Sequence, residues 1–266
     1  MGFIETATRQ ASIIDLGAKA TVNAISPSGN VSQRYSMAST SDILNIFRSE
    51  GWEPVGYQEK RARVQERQGK QTHTVVLANS ELNNSLMVSG TLPRIMLKNS
   101  HDGGSSLQFL SGLFERICAN GLVVGASASD IRLKHIGLSE DLIVAGIQQC
   151  VRSLTKALEL SEKMRAITMD QGQQLAFAQE VIDMAWDGSA YSILPNQLLY
   201  NHRREQRIPT LWNTFNTVQE RVIRGGVTQI RADGSRIRSR EVKAIDRSIE
   251  LNRGMWDLAA AKCLAA

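Results

Sequence analysis

The spacing of apolar positions changes twice along the chain. Ile43, Leu44 and Phe47 share one face of a helix that opens at Ser39 or Ser41, carries Asp42 in its first turn and stops at Gly51. From Trp52 the period becomes two. Val55 and Tyr57, then His73, Val75 and Leu77, predict residues 54–66 and 71–79 as arms of a long antiparallel hairpin with Gln68-Gly69-Lys70 at its tip. A third strand is expected over Ile95–Lys98 and a fourth apolar run over Leu107–Ile117, where Leu110–Cys118 also fits a helix. Asn120-Gly121 turns into Leu122–Val124, and Ile131–Ile136 alternates like a half-exposed strand whose outer face shows Arg132, Lys134 and Ser129.

After Ser139 the period lengthens to that of a helix, through Ile143, Ile147, Val151, Leu154 and Leu158. Thr168 with Gln171 reads as a capping box for a second helix that runs through Phe177, Val181, Ile182 and Trp186 to Gly188. Pro209 opens a third, with Leu211, Trp212, Phe215, Val218 and Val222 as its buried stripe and Gly225-Gly226 as its end. A turn at Asp233-Gly234, an Arg-rich stretch from Arg236 to Arg240, and a last helix with Ile245, Ile249, Trp256 and Leu258 complete the pattern. These elements predict an α+β fold: an antiparallel sheet with a long basic hairpin, covered by helices, followed by a helical C-terminal region. Residues 140–186 are expected to supply two helices over one face of the sheet. The chain divides into a leader, 1–35, a strand-rich core, 36–138, and a helical region packing on it, 139–266.

Composition narrows the classes. With 266 residues and 42% hydrophobic side chains, the chain can bury a core without disulfides or a structural metal. No apolar run approaches the ~20 residues of a membrane span, so no membrane partner is expected. Cys118, Cys150 and Cys263 lie far apart and read as buried thiols in a reducing cytoplasm. His73, His101, His135 and His202 show no metal-ligand spacing, and the phosphate-loop, dinucleotide, zinc-protease and hydrolase-elbow motifs are missing, so neither metal nor cofactor is expected. The N-terminus shows no secretory signal, although Gly2 and Thr6 fit the loose myristoylation pattern.

The net charge of +5 matters because it is clustered. Lys60, Arg61, Arg63, Arg67 and Lys70 face only Glu59 and Glu66 on the hairpin, and His202–Arg253 holds twelve Lys/Arg against six Asp/Glu. Such runs are either solvated faces or phosphate-binding patches. Arg132 and Lys134 extend the first cluster. Arg203 and Arg204, ahead of the proline-led helix, read as an anchor for phosphates or as ion pairs with Glu205, Glu220 or Asp183.

The densest polar stretch is Lys98–Ser106. Asn99, Ser100, His101, Gly103 and Ser105 are candidates for a phosphate loop, the glycines freeing backbone amides and the serines adding donors. The same residues fit a structural turn in which Asn, Asp and Ser bond their own backbone. A third reading is catalytic, with His101 as base and Asp102 orienting it.

Asn99-Ser100-His101-Asp102-Gly103 and Gly112–Val124, together with Leu211–Asn216, Gln219-Glu220, Arg224-Gly225-Gly226 and Trp256–Ala259, resemble the signatures of the phage/plasmid-like protein family. Gly104 lengthens the turn after Asp102-Gly103. The resemblance covers about residue 35 to the end and implies a mobile-element protein in a bacterial host cytoplasm.

The expected function is nucleic-acid binding, with single-stranded DNA as partner, in phage or plasmid recombination, annealing or replication. A basic hairpin on an antiparallel sheet resembles the layout of strand-annealing proteins, and Trp52 or Tyr57 could stack on a base if exposed. The alternatives are an assembly or host-defence-inhibiting protein whose basic surface is incidental, with the hairpin pairing copies into a homo-oligomer, and a metal-dependent nucleic-acid-processing enzyme using His101, Asp102 and Glu115 or Glu220.

Overall fold

Strands take the stretch where the period is two. The computed structural model describes residues 13–29, 31–32, 35–86, 91–115, 121–123, 131–133, 135, 138–186, 191–200 and 208–266. The chain forms two compact units, Met1–Lys156 and Ala157–Ala266. The fold is α+β, an antiparallel sheet followed by a helical C-terminal region.

In the first unit β1 (Trp52–Glu59), β2 (His73–Asn79), β3 (Thr91–Asn99), β4 (Leu107–Glu115) and β5 (Gly121–Val123) pair in chain order, and β6 (Ile131–Leu133) also pairs with β4. β5 lies against Gly112–Phe114 and β6 against Leu107–Phe109, so the two divide the length of β4. All pairings are antiparallel, and a bulge at Val55 shifts the register of β1. The hairpin arms are shorter than predicted: β1 ends at Glu59 and β2 begins at His73, which puts the basic residues in the connection, 60–72, rather than on the arms. The ambiguous Leu110 region is strand, because β4 is bonded along both edges and a helix would leave β3 unpaired there.

Directly paired residues share a face, so register shows what the sheet buries. Tyr57, Val75, Leu97, Phe109 and Ile131 form one continuous cross-strand row. Val75, Leu97 and Phe109 are fully buried, each side chain contributing about 1.5–3 kcal/mol. Two helices cover this face. On α1 (Thr40–Ser49), capped by Ser39, Phe47 meets Phe109 edge-on at 5.1 Å between centroids. On α3 (Glu140–Ala166), Gly146 lets the backbone approach the Phe109 ring, which a Cβ would meet at 2.9 Å. The Ser111 hydroxyl donates to the Cys150 carbonyl on the same helix. α2 (Ser80–Leu86) packs against β2 and β3. Beside the apolar row lies Glu59, His73 and Asn99, on the same helix-covered face and next to the basic connection. In the described part of the leader Ile14 donates its amide to Pro54 on the edge strand, and Leu16, Thr21 and Val22 are buried.

In the second unit α4 (Gln171–Ala185) packs with α5 (Leu211–Arg224) and α6 (Ile245–Ala265). The capping box falls at Asp170 and Gln173, two residues beyond the prediction, because Thr168 is held extended against Thr210. Thr210 rather than Pro209 caps α5, accepting the Asn213 amide. Trp212, Phe215 and Trp256 form the aromatic core, and the buried Gln219 and Asn252 side chains bond at 2.7 Å. The period gave no sign of a three-stranded antiparallel sheet, β7 (Tyr191–Ser192), β8 (Thr228–Arg231) and β9 (Arg236–Arg238), whose strands are too short for alternation to register.

Candidate nucleic-acid interface and the histidine cluster that anchors it

The connection 60–72 is closed at its base by the Lys60 amide donating to the Thr72 carbonyl at 2.8 Å. Its tip is a single 3₁₀ turn, Gln65–Arg67, followed by Gly69 at φ +77°, a conformation that glycine supplies without strain. Arg61, Arg63 and Arg67 are exposed and form no ion pair among the described residues. A concave surface of about 520 Å³ runs along the connection, lined by Lys60, Arg61, Arg63, Gln65, Gln68 and their neighbours. Lys70 differs from the other cations. It is half-buried, and its ammonium donates to the Pro27 carbonyl at 2.7 Å, stapling the loop to the leader. Lys60 is half-buried and engaged in its own contact.

Glu59, one of the two acids placed beside these cations, lines the same concave surface but is bonded to other groups. Its carboxylate accepts from the Tyr57 hydroxyl at 2.6 Å and from Gln71 and Thr21 at 3.3 Å. The Tyr57 hydroxyl also lies 2.5 Å from Thr21 Oγ1, and Lys19 sits over its ring. Burial and the Glu59 bond raise the Tyr57 pKa. Trp52 is buried, so neither aromatic of β1 is presented for base stacking. Arg132 is exposed on β6, in register with Gln108, Lys98, Thr74 and Gln58 on the face opposite the helices. Lys134, Ser129, Arg203 and Arg204 lie outside the described residues.

Asn99 to Asp102 are buried, and the segment is bonded both within itself and to distant parts of the chain. Asn99 donates to the Ala38 carbonyl and to Thr40 Oγ1 while its Oδ1 accepts the Ser100 amide. Ser100 Oγ accepts the Ser105 amide and donates to the Ser105 carbonyl. Asp102 accepts the Gly104 amide, and Gly103 takes φ +73°. Tyr35 donates to the Ser100 carbonyl and stacks on His135 at 4.8 Å, its hydroxyl pKa pushed up to about 12 by burial and by Asp102. The His101 amide donates to the Lys70 carbonyl, and the His101 carbonyl accepts the Ser28 amide. His101 and Asp102 make no imidazole–carboxylate bond, since the ring faces Thr21 and Thr40 and the carboxylate faces Gly104. The segment therefore ties the leader, α1 and the basic connection together.

Thr40, at the start of α1, is the hub. Its hydroxyl oxygen lies 2.9 Å from His73 Nε2, 3.2 Å from His101 Nε2 and 2.9 Å from Asn99 Nδ2. His73 Nδ1 faces the Gln71 carbonyl, which requires a proton there and leaves Nε2 to accept from Thr40. His101 Nε2 faces the Thr21 carbonyl and carries its proton, leaving a buried Nδ1 with no partner. Both rings are thus neutral. Burial pushes His101 down to about 4, with His73 adding to the effect, and burial lowers His73 and His135 as well. Sequence reading missed Thr21, Thr40 and His73 as members of one cluster. The usable signal was register, since a histidine opening β2 must face the asparagine that closes β3. Among the described residues no three His, Cys, Asp or Glu side chains come together as a metal site.

Residues 27–256 match the family described as "Domain of unknown function (DUF932)". The chain is similar to two proteins of Escherichia coli (strain K12). It is 30% identical to UPF0380 protein YafZ over 86% of this chain and 83% of that one, and 29% identical to UPF0380 protein YfjQ over 86% and 82%. No solved structure matches. Among the described residues no helix is long and apolar enough to cross a membrane.

Proposed function

The chain belongs to the DUF932 family, and we propose that it is a nucleic-acid-binding protein that holds single-stranded DNA by its phosphates along the connection 60–72. The observation that carries the reading is the exposure of Arg61, Arg63 and Arg67 without ion pairs, on a loop pinned at its base. Arg61 and Arg63 line a concave surface and Arg67 stands on the adjoining 3₁₀ turn; they meet phosphates without first breaking an ion pair, and Glu59, which shares that lining, is bonded to Tyr57. A three-residue turn offers no helix for a major groove, which favours a flexible single strand over a duplex. Arg132 is a further exposed cation on the sheet.

The wider setting is DNA recombination, annealing or replication of a phage or plasmid in a bacterial cytoplasm. It is supported by the family resemblance and by Cys150 and Cys263, which are buried and free among the described residues and suit a reducing compartment. Electrophoretic mobility of labelled single- and double-stranded DNA, with and without Mg²⁺, tests the reading. Retardation that favours the single strand supports it. Cleavage with Mg²⁺ replaces it by a processing enzyme, and neither effect by an assembly role.

A further inference from the structure

The second unit holds a concave surface of about 430 Å³, within the roughly 300–1,000 Å³ of small-molecule sites. Trp186, Tyr191, Arg231, Arg238, Arg240 and Arg247 line it, and among the described residues no carboxylate does. Of the described acids near the lining residues in sequence, Asp233 accepts the Ser235 amide at the β8–β9 turn, Glu241 pairs with Lys243, and Glu250 pairs with Arg247; Asp187 lies outside the described residues. Arg247 is a fixed wall, since it also donates to the Ala185 carbonyl. Arg231 lies over the Tyr191 ring at 6.0 Å. Arg238 and Arg240 are exposed and form no ion pair among the described residues.

The backbone carrying those two arginines is held tightly. Ser239 donates its amide to the Val227 carbonyl and accepts the Gly226 amide, and its hydroxyl accepts the Val227 amide. Gly225, at φ +75°, lets the end of α5 touch the chain there, for a Cβ would stand 2.6 Å from the Arg240 carbonyl carbon. Arg238 and Arg240, exposed on one concave surface and without an ion pair among the described residues, offer forked donors that match a phosphate. A planar ring beside them adds a stacking surface, which β1 does not offer.

We infer that this cleft is a nucleotide site, with the phosphate held by Arg238 and Arg240 and the base against Tyr191. It rests on the nucleic-acid reading for its class of ligand but not on the connection 60–72. The ligand is a free nucleotide or one unit of a strand.

The test uses the full chain, fluorescein-labelled dT15 as probe, and dTMP and inorganic phosphate as competitors, in wild type and in the Arg61→Ala, Arg63→Ala, Arg67→Ala background. Arg238→Ala with Arg240→Ala is expected to weaken dT15 binding about tenfold at low salt and to lower the salt slope by about 1.4. Tyr191→Leu is expected to weaken it at least about fivefold and Tyr191→Phe to retain it. Displacement by dTMP assigns a free nucleotide; response to the arginine pair without such displacement assigns a strand. Wild-type affinity in the double arginine variant overturns the inference, and so does phosphate competition that Tyr191→Leu leaves unchanged. A loss confined to the Arg61, Arg63, Arg67 variant overturns the cleft and leaves the loop. A loss confined to the Arg238, Arg240 variant does the reverse.

Discussion

His73 and His101 lie with ring centroids 5.5 Å apart, brought together by the register of β2 and β3 and by the fold of the leader. Glu59 and Asp102 favour the charged form of His73 and Asp102 that of His101, but burial outweighs them, and His73 and His135 further oppose a proton on His101. The unfolded chain takes up protons on these rings near pH 6.5, whereas the folded chain does so on His101 only near pH 4. Between those values the unfolded state binds more protons, so stability falls as the pH is lowered through that window and is fully present above it. Urea midpoints measured at pH 7.5, 6 and 5 are expected to decrease in that order, and the decrease is expected to be shallower in His101→Gln. Identical pH profiles for the two proteins would show that the ring is not held neutral.

Thr40→Val is the sharpest probe of the same cluster. The substitution keeps the shape and removes the hydroxyl, leaving His73 Nε2 and an Asn99 amide proton without a partner in a fully buried setting. A buried polar atom left unsatisfied costs about 1–3 kcal/mol, so a loss in that range is expected in chemical denaturation. Thr40→Ser restores the hydroxyl and is expected to recover most of it. Equal stability of the two variants would place the cost in packing rather than in hydrogen bonding.

The helices from Thr40, Glu140, Leu211 and Ile245 were legible because each repeats apolar residues at helical spacing between recognisable stops. The sheet was legible as alternation, but the hairpin ends were not, since Lys60–Thr72 is polar throughout and polar loops and exposed strand faces look alike in one dimension. Thr168 and Gln171 formed as good a capping box on paper as Asp170 and Gln173. What decided between them was the remote segment Ile208–Leu211, whose partners hold Ile167–Met169 extended. The His-Asp-Gly segment showed its polarity and not its burial, because the groups that satisfy it, Thr21, Thr40 and Lys70, arrive from other parts of the chain. No local pattern encodes such convergence.

Gly225 provides a test in the second unit. At φ +75° it occupies the left-handed region, and a methyl group there would collide with the Ser239 and Arg240 carbonyls. Gly225→Ala is expected to cost about 1–3 kcal/mol from backbone strain alone. If the cleft takes a nucleotide, the variant also shifts Arg240 and weakens dT15 binding, while Gly226→Ala, which has open space around it, carries the strain without the collision. Equal binding by the two variants would separate the Gly225 contact from the position of Arg240.

The connection 60–72 makes the most direct prediction. Arg61, Arg63 and Arg67 each stand to neutralise one phosphate, and on a single strand each contact contributes about 0.7 to the salt slope. Three contacts then give a slope contribution near ~2, so their share of the affinity is expected to fall roughly twentyfold between about 50 and about 200 mM salt. Replacing all three by Ala is expected to weaken binding, flatten that dependence and leave the melting temperature nearly unchanged, because exposed side chains without partners cost within about 0.5 kcal/mol each. Lys70→Ala is expected to behave differently. It releases the Pro27 carbonyl and loosens the leader, so it lowers stability before it alters the salt slope. If the triple variant changes particle size in light scattering while its DNA binding per chain stays the same, the loop joins copies of the chain, and the assembly reading takes the place of nucleic-acid contact at this surface.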